Sequence, residues 1–234
     1  MVPLWSRHHL NAFLVYKRNR CYSSRMDDET ETTFLHLLFA DVARVVARTD
    51  NANSHADRRD LVRTSFAAIE GLVWVLKQRF SKTAQETYGL DAPEIAVLAD
   101  KSFRLGTDGK IHSQQNHLPT LATIRLISRI AERISGQASI DFSLAGWEQL
   151  RLAIQVRNRI THPKKPDDLQ ISASDLATVL DSTFWLLDQA ANLLEAEKNI
   201  HQTFLEDFDE ALQLLKKNDP ETVALYRALQ NADE

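Results

Sequence analysis

The feature that most constrains this chain is the three-to-four-residue spacing of its apolar side chains, which runs from residue 35 to residue 194 with one long interruption. Such spacing lines up side chains on one face of an α-helix and conflicts with the two-residue alternation of a strand. Leu35, Leu38, Val42, Val45 and Thr49 form the inner face of a first predicted helix. Leu61, Ser65, Ala68, Leu72, Val75 and Phe80 form that of a second, with Ser54 placed to cap it. Gly71 weakens this second helix, and its presence predicts the close approach of a neighbour. A short helix is expected from Asp91-Ala92-Pro93 to near Asp100. Another carries Leu121, Ile124, Ile127 and Ile130, with Pro119 in its first turn and Gly136 as its stop.

Two more helices complete the pattern, one from about Ser143 to Thr161 and one that follows Ser172 or Ser174 with Leu176, Leu180, Thr183, Leu187, Ala191 and Leu194 inward. Only 6 Gly and 6 Pro leave too few turn residues for a many-stranded β protein. The expected fold class is all-α, an antiparallel bundle of four to five helices over residues 27–198 with additional C-terminal helices. Residues 101–117 interrupt the period, with Gly106, Asp108 and Gly109 as turn signals around short extended pieces, and a loop of that length is expected to be functional or mobile.

The flanks differ from the bundle. Residues 1–26 contain Arg7, Lys17, Arg18, Arg20 and Arg25 and no acid, and form a basic extension expected to lie outside the fold. At the other end, residues 199–234 form a helical appendage, in which Leu205, Phe208, Leu212 and Leu215 make a narrow seam and Asp219-Pro220 opens a last helix to Gln230. Without its first 26 residues the chain has 23 basic against 32 acidic residues. A body with a net charge of −9 does not hold nucleic acid by a general positive field, so any such binding requires a local basic cluster. A single cysteine, Cys21, excludes an intramolecular disulfide, and no apolar run is long enough to span a bilayer. The expectation is a cytoplasmic protein with no membrane partner.

The helix from Ser143 to Thr161 is the unusual one. Leu144, Trp147, Leu150 and Ile154 make one apolar sector, and Leu152, Ala153, Val156 and Ile160 make another. A helix with two such sectors is expected to sit centrally, with Arg151, Gln155, Asn158 and His162 as a polar stripe along a buried rod. It ends in Arg157-Asn158-Arg159-Ile160-Thr161-His162-Pro163. On a continued helix Arg157 and His162 would diverge by about 140°. Pro163 disfavours α geometry at His162, so the helix is expected to stop just before it and free the imidazole to turn toward Arg157.

With 18 Arg and 8 His in the chain, chance supplies ~0.6 matches to Arg, four residues, His; requiring Asn directly after the Arg lowers this to ~0.03. This motif resembles that of the HEPN superfamily, all-helical domains whose active members carry an Arg, four to six residues, His pattern with a polar residue often next to the Arg. Arg157, Asn158 and His162 match without a departure. More loosely, the resemblance covers residues 31–198. It implies metal-independent endoribonuclease activity of the kind found in toxin–antitoxin, phage-defence and RNA-processing systems, with no cofactor.

The chemistry of the residues agrees with that implication. Attack of a ribose 2′-hydroxyl on phosphorus needs a base, a cation for the charged phosphorane and an acid for the departing oxygen. His162 can act as base or acid, and Arg157 can clamp phosphate oxygens while Asn158 orients either group. One histidine does not readily perform both transfers, so a homodimer that presents two motifs across its axis is expected. Arg151, Arg159, Lys164 and Lys165 are the candidates for a local RNA-binding patch.

Blander readings exist for each feature. Arg157 can stabilise a helix dipole, and the chain can be an inactive module that binds a partner protein or nucleotide, or a purely structural adaptor. Arg63, Glu70 and Lys77 are spaced as exposed ion-pair formers, and the four Trp residues are expected to anchor the core. His112 and His117 lack a defined ligand set, so no metal site is assigned. No Glu-x-x-His, Gly-rich phosphate loop or paired-Cys pattern occurs. Nor is there a nucleotidyltransferase site, so any antitoxin or regulator would be a separate chain.

Overall fold

The computed structural model describes residues 26–52, 54–87, 90–136, 140–217 and 219–224. The expected basic extension before Met26 and the end of the expected last helix, 225–230, lie outside these residues, as does the side chain of Phe208.

Helix α1 (Met26–Ala52) and helix α2 (His55–Thr87) form an antiparallel pair. Ser54 caps α2 as expected, its hydroxyl accepting from the Asp57 N–H at 3.2 Å while the Asp57 carboxylate accepts from the Ser54 N–H at 3.3 Å. Gly71 does allow close approach, since a Cβ there would collide with the Leu38 side chain of α1. Phe34 meets Trp74 edge-on one turn away, with ring centroids 5.9 Å apart. At the far end of the pair Arg48 bridges to Asp57 at 3.2 Å and Asp60 at 2.9 Å.

Helix α3 (Ala92–Leu98) ends two residues before the expected Asp100, and a two-stranded ribbon follows. Strand β1 (Lys101–Leu105) pairs antiparallel with β2 (Ile111–Gln115), Phe103 opposite Ser113 and Leu105 opposite Ile111. The short extended pieces expected around Gly106, Asp108 and Gly109 are the two strands of a hairpin, and the fold is mostly helical with one small sheet. Gly109, at φ 76°, takes the left-handed position in the turn.

Helix α4 (Thr120–Ser135) starts one residue after Pro119, which serves as its N-cap, and stops at Gly136 in the left-handed conformation. Helix α5 (Ala145–Thr161) carries the motif and begins two residues later than expected. A 3-10 turn (Pro166–Leu169) leads to α6 (Ala173–Lys216), which runs through residue 198 without a break. Ser172 rather than Ser174 caps α6, its hydroxyl accepting from the Asp175 N–H at 3.0 Å. Beyond α6, Asp219 accepts from the Thr222 N–H at 2.9 Å and opens a further helical turn.

The helices α5 and α6 are antiparallel: Gly146 lies under the Trp185 ring and Arg159 meets Asp175 at 2.9 Å. By contrast α2 and α6 run parallel, because Arg58 and Arg59 donate to the Ile171 and Leu169 carbonyls at one end while Thr83 donates to Glu197 at the other. The expected antiparallel arrangement thus fails for this pair. The excursion through α3, the hairpin, α4 and α5 returns the chain to the end from which α2 set out.

The central rod is α2, not α5. Val62, Phe66, Ile69, Leu72, Val73, Leu76 and Phe80 of α2 all lie in the main core, and it packs against α1, α4, α5 and α6. On α5 the expected double apolar face is half right: Trp147, Leu150, Ala153, Val156 and Ile160 are buried, but Leu144 and Leu152 are 46% and 43% exposed. No described helix is long and apolar enough to cross a membrane.

Candidate functional site

The end of α5 is built as its sequence demands. Thr161 is the last helical residue, and His162 departs to φ −126°, ψ 60° while its N–H still donates to the Asn158 carbonyl at 3.0 Å. Pro163 enforces that departure. The imidazole of His162 is exposed at the mouth of the helix end, and the stripe of Arg151, Gln155, Asn158 and His162 lies on the surface instead of along a buried rod.

Arg157 is held from two sides. Its guanidinium donates to the Glu70 carboxylate of α2 at 2.6 Å and to the Asn158 side-chain oxygen at 3.1 Å. The same group lies 5.9 Å from the centre of the Phe66 ring. A half-buried cation so fixed keeps donors for a further acceptor, because a guanidinium has five N–H groups and these contacts use two.

Beside it opens a pocket of about 560 Å³ between α2, α5 and the start of α4. Arg157 and Asn158 form part of its wall together with Glu70, Trp74 and His117, and the Lys77–Asp100 pair closes another part. Lys77 is buried and meets Asp100 at 2.6 Å, contrary to the expectation that Arg63, Glu70 and Lys77 are exposed ion-pair formers. Arg63 and Glu70 do behave so, Arg63 pairing with Asp60 at 3.5 Å and Glu70 with Arg157 at 2.6 Å. Lys77 differs because the central position of α2 leaves little of its girth in water.

The structure brings Arg157 and Asn158 to the pocket but does not bring His162 among its lining residues. Trp74 and His117 are the residues that sequence reasoning passed over. Trp74 is 48% exposed and is no core anchor. His117 reaches the pocket only because the hairpin returns the chain to Asp100, where the Asn116 N–H donates to the Asp100 carbonyl at 2.8 Å.

The four basic candidates take different roles. Arg159 is engaged within the fold, donating to the Gln170 carbonyl at 3.2 Å and to Asp175 at 2.9 Å. Arg151 pairs on the surface with Glu148 at 2.7 Å. Lys164 and Lys165 are exposed on the turn after the motif, where their backbone N–H groups donate to Asp168 at 2.8 and 3.1 Å. The Lys164 N–H, more than any other group, holds the Asp168 carboxyl below the usual carboxylate range. Arg151 and Arg159 are thus each matched by a carboxylate, whereas Lys164 and Lys165, which follow the motif directly in the chain, are exposed, with Asp168 beside Lys165.

Among the described residues no three His, Cys, Asp or Glu side chains gather as a metal site would require, and His112 faces Asp108 at 3.5 Å in the hairpin turn. No protein-family model, curated protein or solved structure matches the chain.

Proposed function

We propose that this protein is a HEPN-like endoribonuclease that cleaves RNA by 2′-hydroxyl attack without needing a metal ion, working as a homodimer. The observation that carries the reading is the placement of Arg157: a guanidinium clamped by Glu70 and Asn158 at a pocket wall, five residues before a histidine freed from its helix.

The reaction assigns each group one task. A histidine takes the proton of the ribose 2′-hydroxyl, whose oxygen then bonds to the adjacent phosphorus. Arg157 stabilises the added charge of the phosphorane. The bond from phosphorus to the 5′-oxygen breaks, and a second histidine protonates that oxygen, leaving a 2′,3′-cyclic phosphate and a 5′-hydroxyl. His162 is one of these histidines, and its copy across a two-fold axis is the other. Lys164 and Lys165 guide the backbone of the strand, as phosphate contacts position a nucleic acid without reading it. As a toxin or defence component the protein would be restrained by a separate chain.

The test is cleavage of a mixed RNA pool in EDTA by wild type, His162→Ala and Arg157→Ala, with the product ends mapped. The proposal expects cyclic phosphate ends from wild type and a loss of ~10²-fold or more in either variant, the scale of a missing proton-transfer group or oxyanion donor. Equal cleavage by all three proteins would remove Arg157 and His162 from the chemistry.

A further inference from the structure

The pocket beside Arg157 carries little net charge. Each of its two strong cations already faces a carboxylate, Arg157 against Glu70 and Lys77 against Asp100, so its charges cancel in pairs. What it offers is an aromatic surface, an apolar wall and one polar edge. Trp74 contributes the aromatic surface, about half of it in water, and Leu121 and Ile154 line the pocket as well. At the polar edge Arg157 occupies one oxygen of Glu70 and the side-chain oxygen of Asn158. That leaves the second Glu70 oxygen as an acceptor and the Asn158 amide nitrogen as a donor.

We propose that this pocket receives one unpaired nucleobase of the RNA, guanine; the proposal rests on the ribonuclease reading of the same site. A planar base stacks on Trp74, a sequence-tolerant contact that every base can make. Selection comes from the edge. Guanine presents two adjacent donors, N1–H and the N2 amino group, beside the O6 acceptor; the carboxylate of Glu70 takes the donors and the Asn158 amide the O6. Uracil offers one donor, and adenine and cytosine each offer one amino group beside an acceptor that a carboxylate repels. A cavity of about 560 Å³ has room for a nucleotide, within the range of small-ligand sites.

The experiment is calorimetric titration of the full chain with 3′-GMP, 3′-AMP, 3′-CMP and 3′-UMP, for wild type, Trp74→Ala, Trp74→Phe and His162→Ala, each checked for folding by circular dichroism. Wild type and His162→Ala are expected to bind 3′-GMP more tightly than the other nucleotides. Trp74→Ala should bind it about tenfold more weakly, and Trp74→Phe should recover most of the loss. Absence of binding by folded wild type, equal affinity for all four nucleotides, or an unchanged Kd in Trp74→Ala would overturn the proposal. The nuclease reading fails separately: guanine-selective binding by a protein that cuts no RNA would keep the base site and dismiss the catalysis, whereas cleavage with no base preference would do the reverse.

Discussion

Arg159→Ala separates a structural cation from the one proposed for catalysis two residues away. Arg159 donates from α5 to the Gln170 carbonyl at 3.2 Å and to the Asp175 carboxylate at 2.9 Å, tying the end of one helix to the start of the next. Two charge-assisted bonds would be worth ~3–6 kcal/mol if fully shielded. The Arg159 side chain is 36% exposed, which calls for a discount, and Asp175 keeps both the Ser172 N–H and the Ser172 hydroxyl at 2.9 Å. The expected loss is therefore ~2 kcal/mol, a fall in Tm of about 4–8 °C for a chain of this size. Thermal and urea unfolding followed by circular dichroism measure it, alongside cleavage well below the midpoint.

The pH dependence of that loss follows from Asp175. Burial pushes the Asp175 carboxyl up, but the bonds from Ser172 and Arg159 outweigh it and leave the group below its ordinary 3.8. A lowered native value means the contribution is present above 3.8 and fades as pH falls below it, so the gap between wild type and Arg159→Ala should close in acid. Stability unchanged to within ~0.5 kcal/mol, together with a tenfold loss of RNA affinity, would refute the reasoning and return Arg159 to the RNA-binding surface.

Three further outcomes are expected. Gly146→Ala should destabilise by ~1 kcal/mol, because its new methyl meets the rigid Trp185 ring and overpacking outweighs the gain in helix propensity; Gly71→Ala, which meets the movable end of Leu38, should cost less in the same urea titration. Glu197 is buried against Arg79, Thr83 and His201, and although burial raises its pKa, those partners bring it below the ordinary 4.5. Its stabilisation is thus held above pH 4.5 and lost as pH falls through the lower native value; Glu197→Gln should cost ~3 kcal/mol at pH 7 and less at pH 3, and parallel urea midpoints across that range would exclude the idea. His117→Ala should leave kcat nearly unchanged if both proton transfers belong to two copies of His162; a loss of ~10²-fold, with the variant still folded, would place the second transfer within one chain and remove the need for a dimer.

Local signals carried most of the helical fold. Ser54, Ser172, Asp219 and Gly136 act at the helix ends expected of them, because a cap is settled by the few residues around it. The two extended pieces were legible around their turn residues, but their pairing was not, for a physical reason. Phe103, Leu105 and Ile111 are well exposed, so β1 and β2 bury no face against a core and show no clean alternation of apolar and polar residues. On α5 the same logic failed in the other direction: Leu144 and Leu152 fit an apolar sector, yet among the described residues each stays nearly half exposed. Periodicity reports which residues share a face and is silent on what the face meets.

That silence explains which half of the candidate site could be read. Arg157, Asn158 and His162 were legible because their spacing along one helix carries the pattern. Glu70, Trp74 and Lys77 join Arg157 and Asn158 from α2, 87 residues from Arg157 in the case of Glu70, and only packing makes the connection. A signal existed nonetheless. The buried apolar residues of α2, with Val75 and Leu61 toward one edge and Phe66 at the other, cover an arc of about 180° at 100° per residue, wider than a helix on a bundle surface requires. On that wheel Glu70, Trp74 and Lys77 fall together just beyond one edge of the arc. Side chains at such an edge are shielded by a neighbour on one side and open on the other. Carboxylate and ammonium groups there must find partners, as Glu70 does in Arg157 and Lys77 in Asp100, and an aromatic ring keeps a free surface. A pocket with both charge and an exposed aromatic is the consequence, and it forms where the wide apolar arc of α2 ends against the motif helix.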